Sequence, residues 1–251
     1  MAQAPVPVER RRLLTAALMP LLAALLLWVL FGIEQGYGLD FSSWGILPRH
    51  LSGLKGIVTS PFIHGDLEHL ANNTFPILVL GWCLVYFYPK VAGRVVLATW
   101  FIAGVWVWIS ARPNYHIGAS GVIYGLAAFL FFSGVFRRQR SLMAISLFVV
   151  FLYGGMAWGV FPILPRVSWE SHLWGAIVGV ILAWMYRRVA PAHVPEPIVL
   201  DDEEDEEAPP SAPPRRLHVI YHYDPGDEAP EHPRTDLASD AEPWWSDHDH
   251  T

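Results

Sequence analysis

The sequence predicts an all-α polytopic membrane protein, a bundle of six transmembrane helices followed by a disordered, acidic C-terminal tail. The first observation behind this prediction is that the apolar residues, 53% of the chain, are gathered in six long blocks. Each block approaches the roughly 20 residues that a helix needs to cross a bilayer. The second observation is the division of charge, because residues 1–190 carry 14 Lys/Arg and 6 Asp/Glu, whereas residues 191–251 carry 3 and 17.

The six apolar segments define the predicted domain organisation. Residues 1–12 form a cytoplasmic N-terminal segment, residues 13–190 form the membrane domain, and residues 191–251 form the tail. Arg10–Arg12 before the first segment are typical of a signal peptide, but no convincing cleavage site follows, and we expect a retained helix. The predicted segments are Leu13–Ile33, Leu67–Tyr88, Val91–Ser110, Ile117–Phe136, Leu142–Phe161 and Ser171–Tyr186.

The basic residues predict how the segments cross the membrane, because cytoplasmic flanks collect Lys and Arg. Ten basic residues fall on the side of the N terminus and four on the opposite side. We therefore expect both termini in the cytoplasm, in the plasma or inner membrane if the source is bacterial. Segments two, four and six then all enter the bilayer from the outer face. The four outer basic residues are Arg49, Lys55, Arg112 and Arg166.

Segment four opens with a serine among small residues, in the stretch Gly118-Ala119-Ser120-Gly121. One reading is helix packing, because Gly, Ala and Ser let helices approach closely in lipid. The other reading is a serine nucleophile at the mouth of a helix. Tyr124 lies four residues after Ser120 on the same helical face. Gly121 and Gly125 form a neighbouring stripe of small residues.

Segment two begins with polar residues, which are costly in a bilayer unless they face protein or water. His69 and Asn73 are four residues apart and share a helical face, and His64 precedes them. Hydrogen bonding between helices and a role in chemistry both explain this pair. Asp66 and Glu68 lie in the first turn, where negative charge suits the helix dipole, and we interpret them as capping and interface residues.

Segment six carries His172, with Gly175 and Gly179 following at positions i+3 and i+7 on the same face. An ionisable residue inside a membrane indicates a functional site and requires a partner. The partner whose glycine stripe matches is segment four, since two such stripes let helices approach closely. Segment five holds no ionisable group, and nothing in its sequence indicates chemistry.

The polar groups of segments two, four and six are expected at one depth below the outer surface. This agreement favours catalysis over packing, because a serine becomes a nucleophile when a neutral imidazole takes its proton. No carboxylate stands out as a third member, so we predict a Ser120/His172 dyad with His172 oriented by Tyr124. The amide of Asn73, a ring N–H of His69 and the Ser120 backbone N–H are predicted to hold the oxyanion.

At these positions the chain resembles the rhomboid family of intramembrane serine proteases. The resemblance covers about Leu13–Arg188 and implies a six-helix fold with a water-filled cavity opening outward. It also implies the same dyad and oxyanion residues, and substrates that are transmembrane-anchored proteins cut at small residues in or near helix-destabilising segments. The matching motifs are Gly118-Ala119-Ser120-Gly121 with Tyr124, His64 and His69-Leu70-x-x-Asn73, and Ser171-His172-x-x-Gly175-x-x-x-Gly179.

One departure from the family lies in the first outer loop. Many members carry a Trp-Arg pair there, whereas this chain has Trp44 and only later Arg49, whose role therefore stays open. Two other functions are alternatives to proteolysis. A catalytically silent protein of the same fold would bind membrane clients, although such relatives typically lose the serine or the histidine. A transporter would spread ionisable groups across the membrane depth, whereas here they cluster on one side.

The tail beyond Ala190 is predicted to be disordered, because acidic, Pro-rich sequence buries too little apolar surface to fold. Asp201–Glu207 is a run of seven acids. An inert appendage and a docking arm for a basic cytoplasmic partner, anchored by Trp244-Trp245, both stay open. Five tail histidines match no metal-ligand spacing, and we predict no metal, no cofactor and no nucleic-acid partner. These histidines are His218, His222, His232, His248 and His250.

Overall fold

The computed structural model describes residues 8–138, 158–163 and 167–192, together with positions 144, 148 and 151. In these residues the chain is helical and contains no strand, although Ile46 and His116 form an isolated antiparallel bridge. The predicted all-α class is therefore confirmed. The helices are α1 (Val8–Tyr37), α2 (Gly56–Thr59), α3 (Leu67–Phe87), α4 (Ala92–Ser110), α5 (Ser120–Arg137) and α6 (Trp169–Met185).

Four helices in the described part of the chain, α1, α3, α4 and α5, are long and apolar enough to cross a membrane. They coincide with the first four predicted segments, and α6, with 17 residues, coincides with the sixth. The predicted polytopic membrane fold is therefore confirmed. Most of the fifth segment, Leu142–Phe161, and the tail from residue 193 onward lie outside the described residues.

Helix α3 begins where the sequence predicts, because Asp66 caps it. The Asp66 carboxylate accepts a hydrogen bond from the backbone N–H of His69 at 2.7 Å. This bond satisfies one of the amide donors that the first turn of a helix leaves free. The predicted capping role of Asp66 is confirmed. The helix ends at Phe87, since Tyr88 precedes a proline and such a residue disfavours the helical conformation.

The most extensive contact between two described helices joins α5 to α6. Two pairs of glycines allow it, because a Cβ on Gly175 would collide with the carbonyl oxygen of Gly121. A Cβ on Gly179 would likewise collide with the carbonyl oxygen of Gly125. The two predicted glycine stripes therefore meet, and we call this contact the glycine seam. It brings the start of α6 beside the start of α5.

The bundle is apolar inside and outside, as a lipid environment requires. Side chains from α3, α4 and α5 form its core, including the buried Leu84, Val95 and Phe129. On α1 the leucines Leu14 and Leu18 are instead more than half exposed. Exposed apolar side chains on a helix long enough to cross a bilayer contact lipid tails, so this surface carries no cost.

The loop after α1, residues 38–66, folds against α4 as a series of turns and short helices. Its chain segments pack tightly, since a Cβ on Gly53 would collide with the backbone of Leu47. The Arg49 guanidinium donates to carbonyl oxygens at the end of α4, the nearer being that of Ala111 at 2.8 Å. Carbonyls at a helix C-terminus lack partners within the helix. Arg49 therefore caps α4 and ties the outer loop to it.

Candidate active site

The predicted nucleophile and base lie at the starts of two adjacent helices. Ser120 is the first residue of α5, and His172 lies in the first turn of α6. The glycine seam brings these helix starts together, so that His172 Nε2 lies 2.9 Å from Ser120 Oγ. This is an ordinary hydrogen-bonding distance. The structure thus brings the two residues of the predicted dyad into direct contact.

The second ring nitrogen of His172 determines which tautomer the imidazole adopts. Nδ1 lies 2.9 Å from the carbonyl oxygen of Gly159. A carbonyl oxygen only accepts hydrogen bonds, so Nδ1 carries the proton and donates it. In the neutral ring Nε2 is then left with a lone pair that faces the Ser120 hydroxyl. This is the tautomer that a general base for Ser120 needs.

The aromatic ring of Tyr124 supports the flat face of the imidazole. The two rings stack with their centroids 4.0 Å apart and their planes within 7°. Sequence reasoning predicts this contact from the spacing of Tyr124 after Ser120. It misses the Gly159 contact and treats the fifth segment as free of chemistry. Every residue has a backbone carbonyl, so residue type does not reveal this contact.

The predicted oxyanion residues lie on α3, next to the turn that precedes Ser120. Gly118 in this turn has a φ of 103°, a conformation that side chains with a Cβ rarely adopt. A Cβ there would lie 2.5 Å from His69 Nε2 and 3.5 Å from Asn73 Nδ2. Two features therefore require glycine at this position, its backbone conformation and the close approach of His69 to the turn before Ser120.

The amide nitrogen of Asn73 is buried and has no hydrogen-bond partner among the described residues. A buried donor without a partner is costly, and such a group needs an explanation. His69 is half-buried beside it, and its ring packs edge-on against that of His64, with centroids 5.0 Å apart. Burial, and then the proximity of His69, lower the pKa of His64 to about 4, so His64 supports His69 as a neutral ring.

These side chains line one cavity of about 980 Å³ at the N-terminal ends of α3, α5 and α6. Ser120, Tyr124 and His172 form one wall, and His69 and Asn73 form another. Of the other predicted residues, His64 packs against the ring of His69, and Gly118 lets that ring approach the turn before Ser120. Gly175 and Gly179 let α6 approach α5. The cavity therefore gathers around one space the Ser120 hydroxyl, the His172 imidazole and the Asn73 amide, which is unpaired among the described residues.

Two further connections near this cavity were not predicted from the sequence. The first is an ion pair in which Arg112 Nε lies 2.8 Å from the carboxylate of Glu170, a residue that is 4% exposed. The second is a contact of 2.5 Å between His116 Nδ1 and Ser168 Oγ. A basic residue in the loop and an acid in the helix were visible in sequence, but their pairing depends on how the loop folds over α6.

The described ranges contain no group of three or more His, Cys, Asp or Glu side chains placed to hold a metal ion. The five tail histidines lie outside those ranges.

Comparisons with known proteins identify the family. Residues 50–189, more than half of the chain, match the Rhomboid domain. An uncharacterized protein of Mycobacterium tuberculosis is 38% identical over 174 residues, which are 64% of this chain and 70% of that protein. Rhomboid-like protein 11, chloroplastic, of Arabidopsis thaliana is 25% identical over 171 residues, 56% of this chain and 55% of that protein. The chain is an integral membrane protein. It belongs to the rhomboid family, and the resemblance seen in its motifs is confirmed.

Proposed function

We propose that this chain is an intramembrane serine endopeptidase that cleaves transmembrane-anchored proteins in or near their membrane segments. One observation carries the proposal. His172 contacts Ser120 Oγ through Nε2 at 2.9 Å while Nδ1 donates to the Gly159 carbonyl at the same distance. A serine that serves only helix packing needs no base beside it and no fixed tautomer of that base.

In the proposed reaction Ser120 Oγ attacks the carbonyl carbon of the substrate peptide bond while its proton passes to His172 Nε2. The imidazolium that forms keeps its Nδ1–H bonded to the Gly159 carbonyl and its face covered by Tyr124. His172 then protonates the leaving amine as the peptide C–N bond breaks. A water molecule, deprotonated by the same imidazole, hydrolyses the acyl ester and restores the Ser120 hydroxyl.

Negative charge develops on the substrate carbonyl oxygen during this attack and needs donors aimed at it. The amide of Asn73 is suited to this role because it is buried in the cavity wall without a partner among the described residues. A ring N–H of His69 is a second donor. The backbone N–H of Ser120 is a third, since the first amides of α5 have no partner within the helix.

The substrate class follows from the family resemblance and from the position of the site. A transmembrane helix hides its peptide carbonyls in hydrogen bonds, so it must unwind locally to present one to Ser120. Helix-destabilising segments and small residues at the cut make that unwinding easier. The distribution of basic residues supports a cavity on the outer side, with both termini of the chain in the cytoplasm.

A catalytically silent relative that binds membrane clients is the alternative. The arrangement of Ser120, His172 and Gly159 supports catalysis, because a silent protein has no need to keep a proton acceptor on its serine. A transporter fits less well, since the ionisable groups of the cavity all lie near one end of the helices.

The test uses the purified full chain in proteoliposomes with a membrane-anchored reporter that carries small residues at its outer boundary. Wild-type protein is expected to cut the reporter, and Ser120→Ala and His172→Ala are expected to bind it without cutting. Thermal unfolding of both variants should stay close to wild type. Turnover retained by either variant would overturn the dyad. Reporter binding by wild-type protein without any cleavage would favour the silent alternative.

A further inference from the structure

The loop between α4 and α5, residues 111–119, is joined to the start of α6 by an ion pair. Arg112 Nε and Nη2 lie 2.8 Å and 3.3 Å from the two carboxylate oxygens of Glu170. Nη2 also donates to the carbonyl of Val167 at 2.7 Å. The backbone N–H of Arg112 adds a bond to the same carboxylate at 3.2 Å. One arginine therefore holds both Glu170, in the first turn of α6, and Val167, just before that helix.

A chain of hydrogen bonds runs beside the ion pair. His116 Nε2 lies 3.1 Å from the carbonyl oxygen of Arg112, so Nε2 carries a proton and donates it. Burial lowers the pKa of His116, which favours the neutral ring and leaves Nδ1 as an acceptor from the Ser168 hydroxyl. Ser168 Oγ in turn lies 2.6 Å from Ser171 Oγ. This chain connects the residue before His172 to the loop that leads to Ser120.

These two connections, which we call the loop clamp, add to the glycine seam at the N-terminal ends of α5 and α6. The seam fixes how closely α5 and α6 lie along their length. The loop clamp fixes their outer ends, because Glu170 lies two residues before His172 and the clamped loop runs directly into Ser120. The Glu170 side chain is 5% exposed, whereas that of Arg112 is 35% exposed on the cavity side. The Glu170 carboxylate is thus shielded from water, whereas the Arg112 guanidinium is partly exposed to it.

We propose that Arg112 and Glu170 are positioning residues that hold Ser120 Oγ and His172 Nε2 at reacting distance. This inference rests on the proposed serine protease function and adds to it a pair that does not touch the substrate. The planar guanidinium contacts both carboxylate oxygens and the Val167 carbonyl at once, and the single ammonium group of lysine does not reproduce this forked contact. Misplacement of a reacting group by about 1 Å costs roughly a hundredfold in rate.

The test measures how fast a fluorophosphonate probe labels the purified full chain, because the probe reports nucleophile activation without substrate binding. Arg112→Gln and Glu170→Gln are each expected to slow labelling by about 10- to 100-fold. Arg112→Gln leaves the buried Glu170 carboxylate without its partner, which is itself destabilising. The double variant Arg112→Gln/Glu170→Gln avoids this, since two amides can still hydrogen-bond. It is expected to unfold near the wild-type temperature and to label no faster than either single variant.

Two further variants separate positioning from stability. Arg112→Lys keeps the charge but loses the fork, so its labelling rate should fall between those of wild type and Arg112→Gln. Arg94→Gln alters an exposed arginine at the start of α4 and serves as the matched control, expected to label like wild type. In proteolysis the clamp variants should lose kcat with little change in KM.

The positioning role of the loop clamp and the proposed function are refuted by different results. Wild-type rates of labelling in the folded double variant would overturn the positioning role while leaving the protease proposal intact. If labelling falls only in proportion to the amount of folded protein, the positioning role is overturned as well. Absence of labelling in the wild-type chain would instead remove the proposed function, and the positioning role with it.

Discussion

The carbonyl oxygen of Gly159 lies 2.9 Å from Nδ1 of His172, on the side of the imidazole opposite Ser120. This backbone contact determines the tautomer of the ring without a carboxylate. An acid in that position would also stabilise an imidazolium, but it would add a second charge to a site surrounded by lipid. A neutral carbonyl fixes the same proton and avoids the cost of burying another ion.

Gly159→Ala tests this contact. The added Cβ would collide with the Tyr124 hydroxyl and lie 3.1 Å from His172 Nδ1, so the ring must shift. We expect fluorophosphonate labelling and proteolysis both to slow by roughly 10- to 100-fold. Gly36→Ala is the control, because a Cβ at Gly36 would meet no heavy atom within 4 Å. Equal activity in the two variants would show that crowding beside Nδ1 does not displace His172 from its reacting position.

Asn73→Ala tests the oxyanion role. Loss of one such donor typically costs about 100- to 1,000-fold in kcat. The expected loss is smaller than that of Ser120→Ala, since His69 and the Ser120 N–H still donate. Asn72→Ala, which changes the exposed neighbouring amide, is the matched control and should leave kcat unchanged. If both variants keep wild-type kcat, the buried amide has a structural role only.

Gly179→Val tests the glycine seam. Its side chain would be forced against the Gly125 carbonyl and the Ala128 methyl group, so α6 must move away from α5. Overpacking of this kind typically costs about 1–3 kcal/mol, and we expect a lower thermal unfolding temperature and weaker activity. Gly93→Val, at a position with open space around it, should have little effect on unfolding. A Gly179→Val variant as stable and active as wild type would place the functional seam elsewhere.

Deletion of the chain from Pro195 onward tests whether the acidic tail takes part in proteolysis. The tail carries 17 Asp/Glu and 3 Lys/Arg after residue 190, and the positive-inside pattern predicts that it lies on the side opposite the cavity. Turnover of a purified reporter should therefore stay close to that of the full chain. A large loss of turnover, with unchanged thermal unfolding of the remaining chain, would make the tail a regulatory element.

Much of this fold and site is readable from the sequence, because lipid imposes strong constraints. Long apolar segments and their few polar exceptions indicate the helices, and glycine stripes indicate which helices meet. The spacing of Tyr124 after Ser120 also predicts the ring stack on His172. Such signals work because each depends on residue type at a helical spacing.

Contacts made by backbone atoms and loops are not predictable in this way. The contact that orients His172 is made by the backbone carbonyl of Gly159. Every residue type has such a carbonyl, so the sequence does not predict this contact. The pairing of Arg112 with Glu170 depends on the path of the loop between α4 and α5. The cap that Arg49 forms on α4 likewise requires the outer loop to fold back, which the chain order alone does not indicate.

The central claim is that His172 activates Ser120 as a nucleophile. The most direct measurement is mass-spectrometric mapping of the fluorophosphonate adduct on the purified full chain, its Ser120→Ala variant and its His172→Ala variant. We predict one adduct, on Ser120, in the wild-type chain, and none at a comparable rate in either variant. An adduct on another residue, or labelling of Ser120 that persists at the wild-type rate in His172→Ala, would contradict the claim.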